Sequence, residues 1–354
     1  MIVTVIGARP QFVKAAVVSK ALKRAGLDEA VIHTGQHYDA EMSDIFWQEL
    51  GLPPWKENLM VGSGSHGVQT AKILEGVESF LLKTPNVSGV IVYGDTNSTL
   101  GAALAASKLH IPVFHIEAGL RSFNRRMPEE INRVMTDHIS DLLFCSSEVG
   151  KKWLANEGIL DGVHVVGDVM ADAHRYYSEA SKGRLAEAGL LVDLNQTFMV
   201  ATIHRPSNTD SNDNLAQILR GLEDDGRQII WPLHPRLKSK LHDLSLPSNV
   251  TVTRPLSYFE MLDALRLCEG VYTDSGGLQK EAYWSKKPCV TMREETEWTE
   301  TVDAGWNVLS GPSAVEMQAA KRALDARPSW KPIYGDGFAS DHIAKLISEF
   351  LENA

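Results

Sequence analysis

Ile2-Val3-Thr4-Val5-Ile6-Gly7-Ala8-Arg9-Pro10-Gln11-Phe12-Val13-Lys14 reads as a strand that turns directly into a helix. Five β-branched residues form the strand. Gly7-Ala8 makes the turn, and Pro10 suits the first helical position. The same pattern recurs along the chain. Short apolar runs stand at 30–34, 89–93, 112–116, 142–145 and 163–166, then at 198–203, 228–232, 249–253, 270–273, 288–292 and 307–309. Amphipathic stretches separate them. Runs without polar alternation belong to strands covered on both faces, hence to parallel sheets. Strand–helix alternation of this kind means stacked βαβ units.

The rhythm breaks at about 168–196, where Asp168–Leu191 reads as one long helical stretch before polar Asp193-Leu194-Asn195-Gln196. Three segments are therefore expected. Residues 1–168 form one Rossmann-like domain and 169–340 a second, with about six strands each. A C-terminal helix, 341–354, has Ile343, Leu346, Ile347 and Phe350 on one face and docks by them. The fold class is α/β, with two parallel sheets facing across a cleft.

Composition excludes several functions. The chain has 354 residues and a formal net charge of -10. A net-negative surface disfavours nucleic acid and anionic membrane as partners. Cys145, Cys268 and Cys289 are far apart, which suits a reducing cytoplasm and argues against zinc or a disulfide framework. The N-terminus has no secretory pattern, and no apolar run approaches the length of a bilayer span.

Ligands of open parallel sheets bind beyond the carboxyl ends of the strands. The polar residues that follow the apolar runs are Arg9, Asp95 and Glu117 in the first half. In the second they are His204, His234, Asp274-Ser275-Gly276-Gly277 and Arg293. An anion site beside an acid/base site is expected from this set. Ser275-Gly276-Gly277 opens a helix, whose free N–H groups favour phosphate, although an ordinary N-cap would read the same way. Gly7-Ala8-Arg9-Pro10 lacks G-x-G-x-x-G, so a dinucleotide cofactor is not expected there. For Glu117, a structural pair with Arg121 and a catalytic role are both open. Glu129 and Arg133 are spaced for a helix ion pair, and Glu129 and Glu130 point in directions too different to share a role. His115-x-Glu117 and His33-x-x-x-His37 lack a third ligand, so no metal is expected.

Taken in order, several segments resemble the non-hydrolysing UDP-N-acetylglucosamine 2-epimerase family, whose fold is GT-B-like. They are Gly7–Lys14, His33–His37, Gly94-Asp95-Thr96, His115–Arg121, Pro128–Arg133, Thr202–Arg205 and Asp274–Ala282. The resemblance implies sugar and catalytic roles for Arg9, Lys14, Asp95, Glu117, Glu129, Arg133 and His204. It implies nucleotide contacts at Ser275, Gly276, Gly277 and Glu281, with Glu281 at the ribose and the uracil near Pro255–Phe259, hence Phe259. A homodimer and a part in surface-polysaccharide precursor synthesis follow from the resemblance alone. Gln11, Lys280 and Trp298 depart from residues common in the family, which leaves the sugar open. Tyr38-Asp39 departs from the pattern for a second, activating UDP-sugar site.

Carbon 2 of an N-acetyl sugar carries no acidic proton. Without a nicotinamide motif, the route expected is loss of UDP to a 2-acetamidoglycal followed by re-addition. That route needs cations and a helix end on the diphosphate, and carboxylates around carbon 2. The expected substrate is UDP-GlcNAc. The rivals are a UDP-2,3-diacetamido-glucuronate epimerase with the same chemistry and, in another class, a GT-B glycosyltransferase.

Overall fold

The computed structural model describes residues 1–36, 46–190, 193, 196–240 and 245–353. The readings of His37, Tyr38-Asp39 and Leu194-Asn195 lie outside these residues. The chain divides into two compact units. One comprises Met1–Ala173 with Tyr334–Ala354, the other His174–Ile333. The sequence had placed the joins at 168/169 and 340/341.

The first unit is built on a seven-stranded parallel sheet. Its strands are β1 (Ile2–Ile6), β2 (Glu29–His33), β3 (Trp55–Asn58), β4 (Gly89–Tyr93), β5 (Val113–Ala118), β6 (Leu142–Cys145) and β7 (Val163–Val165). They lie in the order β3-β2-β1-β4-β5-β6-β7. β1 and β4 are buried at every position, as expected of strands with helices on both faces. β3 had no counterpart among the apolar runs. It is an edge strand of sequence Trp-Lys-Glu-Asn, with Lys56 and Glu57 exposed. A strand whose surface is half solvated carries no apolar run to be read.

The second unit has six parallel strands: β8 (Phe198–Thr202), β9 (Gln228–Pro232), β10 (Val250–Thr253), β11 (Gly270–Thr273), β12 (Cys289–Thr291) and β13 (Asn307–Leu309). Their order is β10-β9-β8-β11-β12-β13. Each sheet thus winds outward in both directions from its first strand. The order reverses between β1 and β4 in one unit and between β8 and β11 in the other. These switch points are where doubly wound sheets open a crevice for ligands.

The single helix expected over 168–191 is two helices, Val169–Ala180 and Arg184–Glu187. Gly183 stands between them at φ +86, a left-handed conformation that ends a helix. The last helix, Ala339–Asn353, belongs to the first unit. Its start is held by Asp172, which accepts from the Ala339 and Ser340 N–H groups. Phe350 meets Phe114 edge-on at 5.5 Å. Among the described residues, no helix is long and apolar enough to cross a membrane.

Candidate active site

In the first unit, helices start at the carboxyl end of the sheet, and three of them, with His66 at the start of the helix His66–Lys83, frame one pocket. The three are Arg9–Arg24 after β1, Asn97–Lys108 after β4, and Pro128–His138 beyond β5. Their first turns line an open pocket of about 450 Å³ that includes Arg9, Asp95, Asn97, Glu129, Asn132 and His66. The turn after β1 is fixed by Gln11. Its Oε1 accepts from the Gly7 and Ala8 N–H groups, and its Nε2 donates to the Tyr93 carbonyl at 2.8 Å. One amide therefore ties the β1 turn to the end of β4. A carboxylate at this position could make the first two bonds but has no hydrogen for the third.

Glu117 occupies a special backbone position. Its φ is +71, a region that non-glycine residues adopt at a cost of about 1–3 kcal/mol. The β5–β6 register shifts between Ile116 and Ala118, so Glu117 is the extra residue of a bulge. Bulges re-aim side chains. Here the carboxylate meets Lys14 Nζ, and both groups are largely buried. The pair lies against Gly94, where an added Cβ would come 3.3 Å from Glu117 Oε2 and 3.7 Å from Lys14 Nζ.

Asp95 follows directly. Its Oδ2 accepts from Arg133 Nη2 at 2.5 Å. Burial raises its proton affinity, Arg133 opposes this, and the nearby Glu117 charge adds to it. The result is a carboxyl that holds its proton above the ordinary range. Arg133 also reaches Glu130 at 3.3 Å, so the helix pairing expected with Glu129 is made with Glu130 instead. Glu130 is buried and accepts from Ser122 N, Ser122 Oγ and Phe123 N. Glu129, one residue earlier, is exposed to the pocket. The two acids have different tasks, as their 100° separation requires.

The alternative of a Glu117–Arg121 pair is not what forms. Arg121 binds Asp137 at 2.6 Å and Glu157 at 2.6 and 2.8 Å. Two further pocket residues had not been singled out. Asn132 donates to the Asp95 carbonyl at 2.9 Å, and His66 contacts Asn97. His66 follows Gly62-Ser63-Gly64-Ser65, a loop without an apolar run to mark it.

In the second unit, the buried Asp274 organises the switch point. It accepts from the backbone N–H groups of His204 and Arg205, from Asn208 Nδ2 and from His204 Nδ1 at 2.9 Å. Burial raises its proton affinity, but the hydrogen bond and charge of His204 and the backbone donors outweigh that, so it stays ionised. His204 is thereby oriented, its side chain partly exposed and its ring centroid 5.5 Å from that of His234. Ser275 stands at the N-cap of the helix Gly276–Trp284 but makes no side-chain capping bond. An added Cβ at Gly276 would lie 3.6 Å from Trp298 Nε1 and 3.7 Å from Glu297 Oε2, whereas one at Gly277 would meet nothing within 4 Å, so the helix start is open on the Gly277 side.

Glu281 lies further along that helix. Burial lifts its carboxyl to about 7, against the opposing charge of Lys280. Its charge acts on Tyr258, so Glu281 neighbours the start of the helix Tyr258–Leu267. The Phe259 ring is buried, 5.4 Å from Tyr177. Lys280 Nζ sits 3.7 Å over the Trp298 ring, and Arg293 binds Glu297 through both Nη atoms at 3.0 Å. Among the described residues, no group of three or more His, Cys, Asp or Glu is placed to hold a metal ion.

A profile of UDP-N-acetylglucosamine 2-epimerases matches residues 20–348. The chain belongs to the UDP-N-acetylglucosamine 2-epimerase family. A family member from Pseudomonas aeruginosa, UDP-2,3-diacetamido-2,3-dideoxy-D-glucuronate 2-epimerase, is 44% identical over 98% of this chain and 99% of its own. The UDP-N-acetylglucosamine 2-epimerase of Methanocaldococcus jannaschii is 40% identical over 97% of this chain and 98% of its own. A crystal structure of the M. jannaschii UDP-GlcNAc 2-epimerase with UDP-GlcNAc and UDP superposes with a TM-score of 0.85 at 38% identity, covering 99% of this chain and 100% of that one. The family segments read from sequence thus include the turns after β1, β4, β5, β8 and β11 described above.

Proposed function

We propose that this chain interconverts UDP-GlcNAc and UDP-ManNAc by elimination and re-addition of UDP. A base takes the carbon 2 proton, the C1–O bond breaks, and its electrons leave with UDP as the C1–C2 double bond forms. UDP then adds back at carbon 1 while an acid protonates carbon 2 from the opposite face. The observation that carries this reading is the carboxylate set on the turns after β4 and β5. Asp95 retains a proton more readily than an ordinary carboxyl, and Glu117 lies beside it paired to Lys14. A carboxyl with raised proton affinity beside a carboxylate paired to a cation suits a reaction that needs both an acid and a base.

Asp95, Glu117 and Glu129 serve as the acid/base groups, and Lys14 and Arg133 set the charge of the first two. Arg9, His204 and the helix start at Ser275-Gly276-Gly277 stabilise the departing diphosphate. Glu281 takes the ribose hydroxyls, and the backbone leading into the helix at Tyr258-Phe259 takes the uracil, since the Phe259 ring is committed to the core. The protein works in the cytoplasm as a homodimer and supplies a surface-polysaccharide precursor. The test is incubation with UDP-GlcNAc in deuterated water. Deuterium at carbon 2 with UDP retained is the expected result. No exchange on any UDP-N-acetylhexosamine removes the mechanism.

The 44% identity to the P. aeruginosa enzyme favours a second reading, the same chemistry on UDP-2,3-diacetamido-glucuronate. NMR assays of both sugars separate the two. Sugar transfer to an acceptor, with the UDP-sugar alone left unchanged, would instead mark a glycosyltransferase.

A further inference from the structure

His115 is fully buried on β5, between β4 and β6. Its Nε2 lies 2.8 Å from the Gly94 carbonyl oxygen, and its Nδ1 lies 2.7 Å from Asp137 Oδ1. A carbonyl oxygen has no hydrogen to give, so Nε2 carries one. Asp137 is also fully engaged as an acceptor. Its Oδ2 takes a hydrogen bond from Arg121 Nη1 at 2.6 Å and another from the Gly119 N–H at 3.2 Å. A carboxylate gripped by a guanidinium and a backbone N–H is ionised, and an ionised carboxylate only accepts. Nδ1 therefore carries a hydrogen as well.

We propose that His115 is a positioning residue, a buried imidazolium that with Asp137 holds the two turns bearing Asp95 and Glu117. This rests on the reading of Asp95 and Glu117 as acid/base groups. The Gly94 carbonyl held by Nε2 belongs to the peptide that enters Asp95. The Gly119 N–H held by Asp137 lies two residues beyond Glu117. Gly94, Glu117 and Gly119 all have left-handed backbones, at φ +63, +71 and +79. Glycine adopts this region freely, but at Glu117 it persists only where the surroundings over-determine it. A single ion pair beneath the sheet end ties the Gly94 turn to the turn that carries Glu117. The remaining charges around it are matched: Arg121 also binds Glu157, and Lys14 binds Glu117. Neither His115 nor Asp137 lines the pocket, so both act through the residues they hold.

The full-length chain with ¹⁵N-labelled histidine is examined by NMR at neutral pH without ligand. Both ring nitrogens of His115, assigned through their proximity to Gly94 and Gly119, are expected at the protonated shift. A ring nitrogen at the unprotonated shift overturns the imidazolium. His115→Gln and Asp137→Asn are then compared with wild type for carbon 2 exchange on UDP-GlcNAc and for UDP binding by calorimetry. The expected loss is about 100-fold in kcat, with KM and the Kd for UDP within about 3-fold, because a displacement near 1 Å costs that much without removing a binding group. Unchanged kcat, or a loss carried by KM, overturns the positioning role. The ring measurement needs only the wild-type chain, so it decides the charge state even where a variant does not fold. Absence of exchange in wild type would remove the epimerase reading while leaving the ring state decided.

Discussion

The two units share one strand order and one switch point, yet they use charge in opposite ways. At β1/β4 the first unit sets carboxylates against its own cations, Lys14 with Glu117 and Arg133 with Asp95. It also bends the backbone into left-handed turns to do so. At β8/β11 the second unit has one buried carboxylate, Asp274, spent on orienting His204 and two backbone N–H groups. Ser275 there has an ordinary extended backbone at φ -80, and the helix after it is unobstructed at Gly277. The first arrangement tunes how tightly a proton is held. The second gathers its donors on one buried carboxylate. The same topology thus carries a strained switch point with paired charges in one unit and an unstrained one centred on a single carboxylate in the other.

The largest effect should come from breaking the strained side. Glu117→Gln keeps size and leaves a hydrogen-bonding group, but it cannot take or return a proton. Carbon 2 deuterium exchange is expected to fall about 1,000-fold, within the range for loss of a general acid or base. UDP affinity by calorimetry should be unchanged, because the second unit is untouched. Exchange at the wild-type rate would show that Glu117 is a structural partner of Lys14 and nothing more.

Next in size is the carboxylate on the relaxed side. Asp274→Asn removes one acceptor from a buried set and turns an N–H toward groups that are themselves donors. Leaving buried donors unsatisfied costs about 1–3 kcal/mol in stability, readable as a lower midpoint in urea. His204 loses its orientation, so UDP should bind roughly 10- to 100-fold more weakly, as for loss of a charge-assisted hydrogen bond. Unchanged affinity would mean that the donors near Asp274 do not serve the nucleotide.

Most of this contrast was legible in the sequence, and the part that was not has physical reasons. The buried strands announced themselves as apolar runs, and the residues after them, Arg9, Asp95, His204 and Asp274, fell at the switch points because strand ends are where parallel sheets open. β3 was hidden by its exposed Lys56 and Glu57. The break at Gly183 was hidden inside an otherwise helical pattern. The strain at Glu117 left no trace, because glutamate is not a residue that signals positive φ. Partner choice was equally opaque. Arg121 is four residues from Glu117 but binds Asp137 and Glu157, since the bulge turns Glu117 toward Lys14. His115 and Asp137 are a strand and a helix apart, and only the fold joins them.

A third, smaller effect separates the units by pH. Glu281 in the second unit has its carboxyl lifted to about 7 by burial, above the ordinary value near 4.3. Between these values the folded chain binds a proton that the unfolded chain does not. Stability therefore rises as pH falls from about 7 toward 4.5, and is lost as pH rises through 7. Between pH 5.5 and 7 the contribution is at most roughly 2 kcal/mol, at about 1.4 kcal/mol per pH unit. Urea midpoints at pH 5.5 and 8 read it, and Glu281→Gln should flatten the difference. If the slope persists in that variant, another group carries it.

The smallest effect tests the open helix start directly. At Gly277 an added Cβ meets no atom within 4 Å, and the residue lies in the first turn of the Gly276–Trp284 helix with a right-handed backbone. Alanine is the better helix former by up to about 1 kcal/mol. Gly277→Ala should thus leave the melting temperature unchanged or slightly higher. The same methyl group projects where a diphosphate would approach the free N–H groups, so UDP affinity should fall about 3- to 10-fold, or roughly 0.7–1.4 kcal/mol. Stability and binding moving in opposite directions is the signature of a glycine kept for its ligand rather than for the fold. If affinity is unchanged, the diphosphate does not approach the helix start from this side, and the contrast between the two switch points rests on His204 and Asp274 alone.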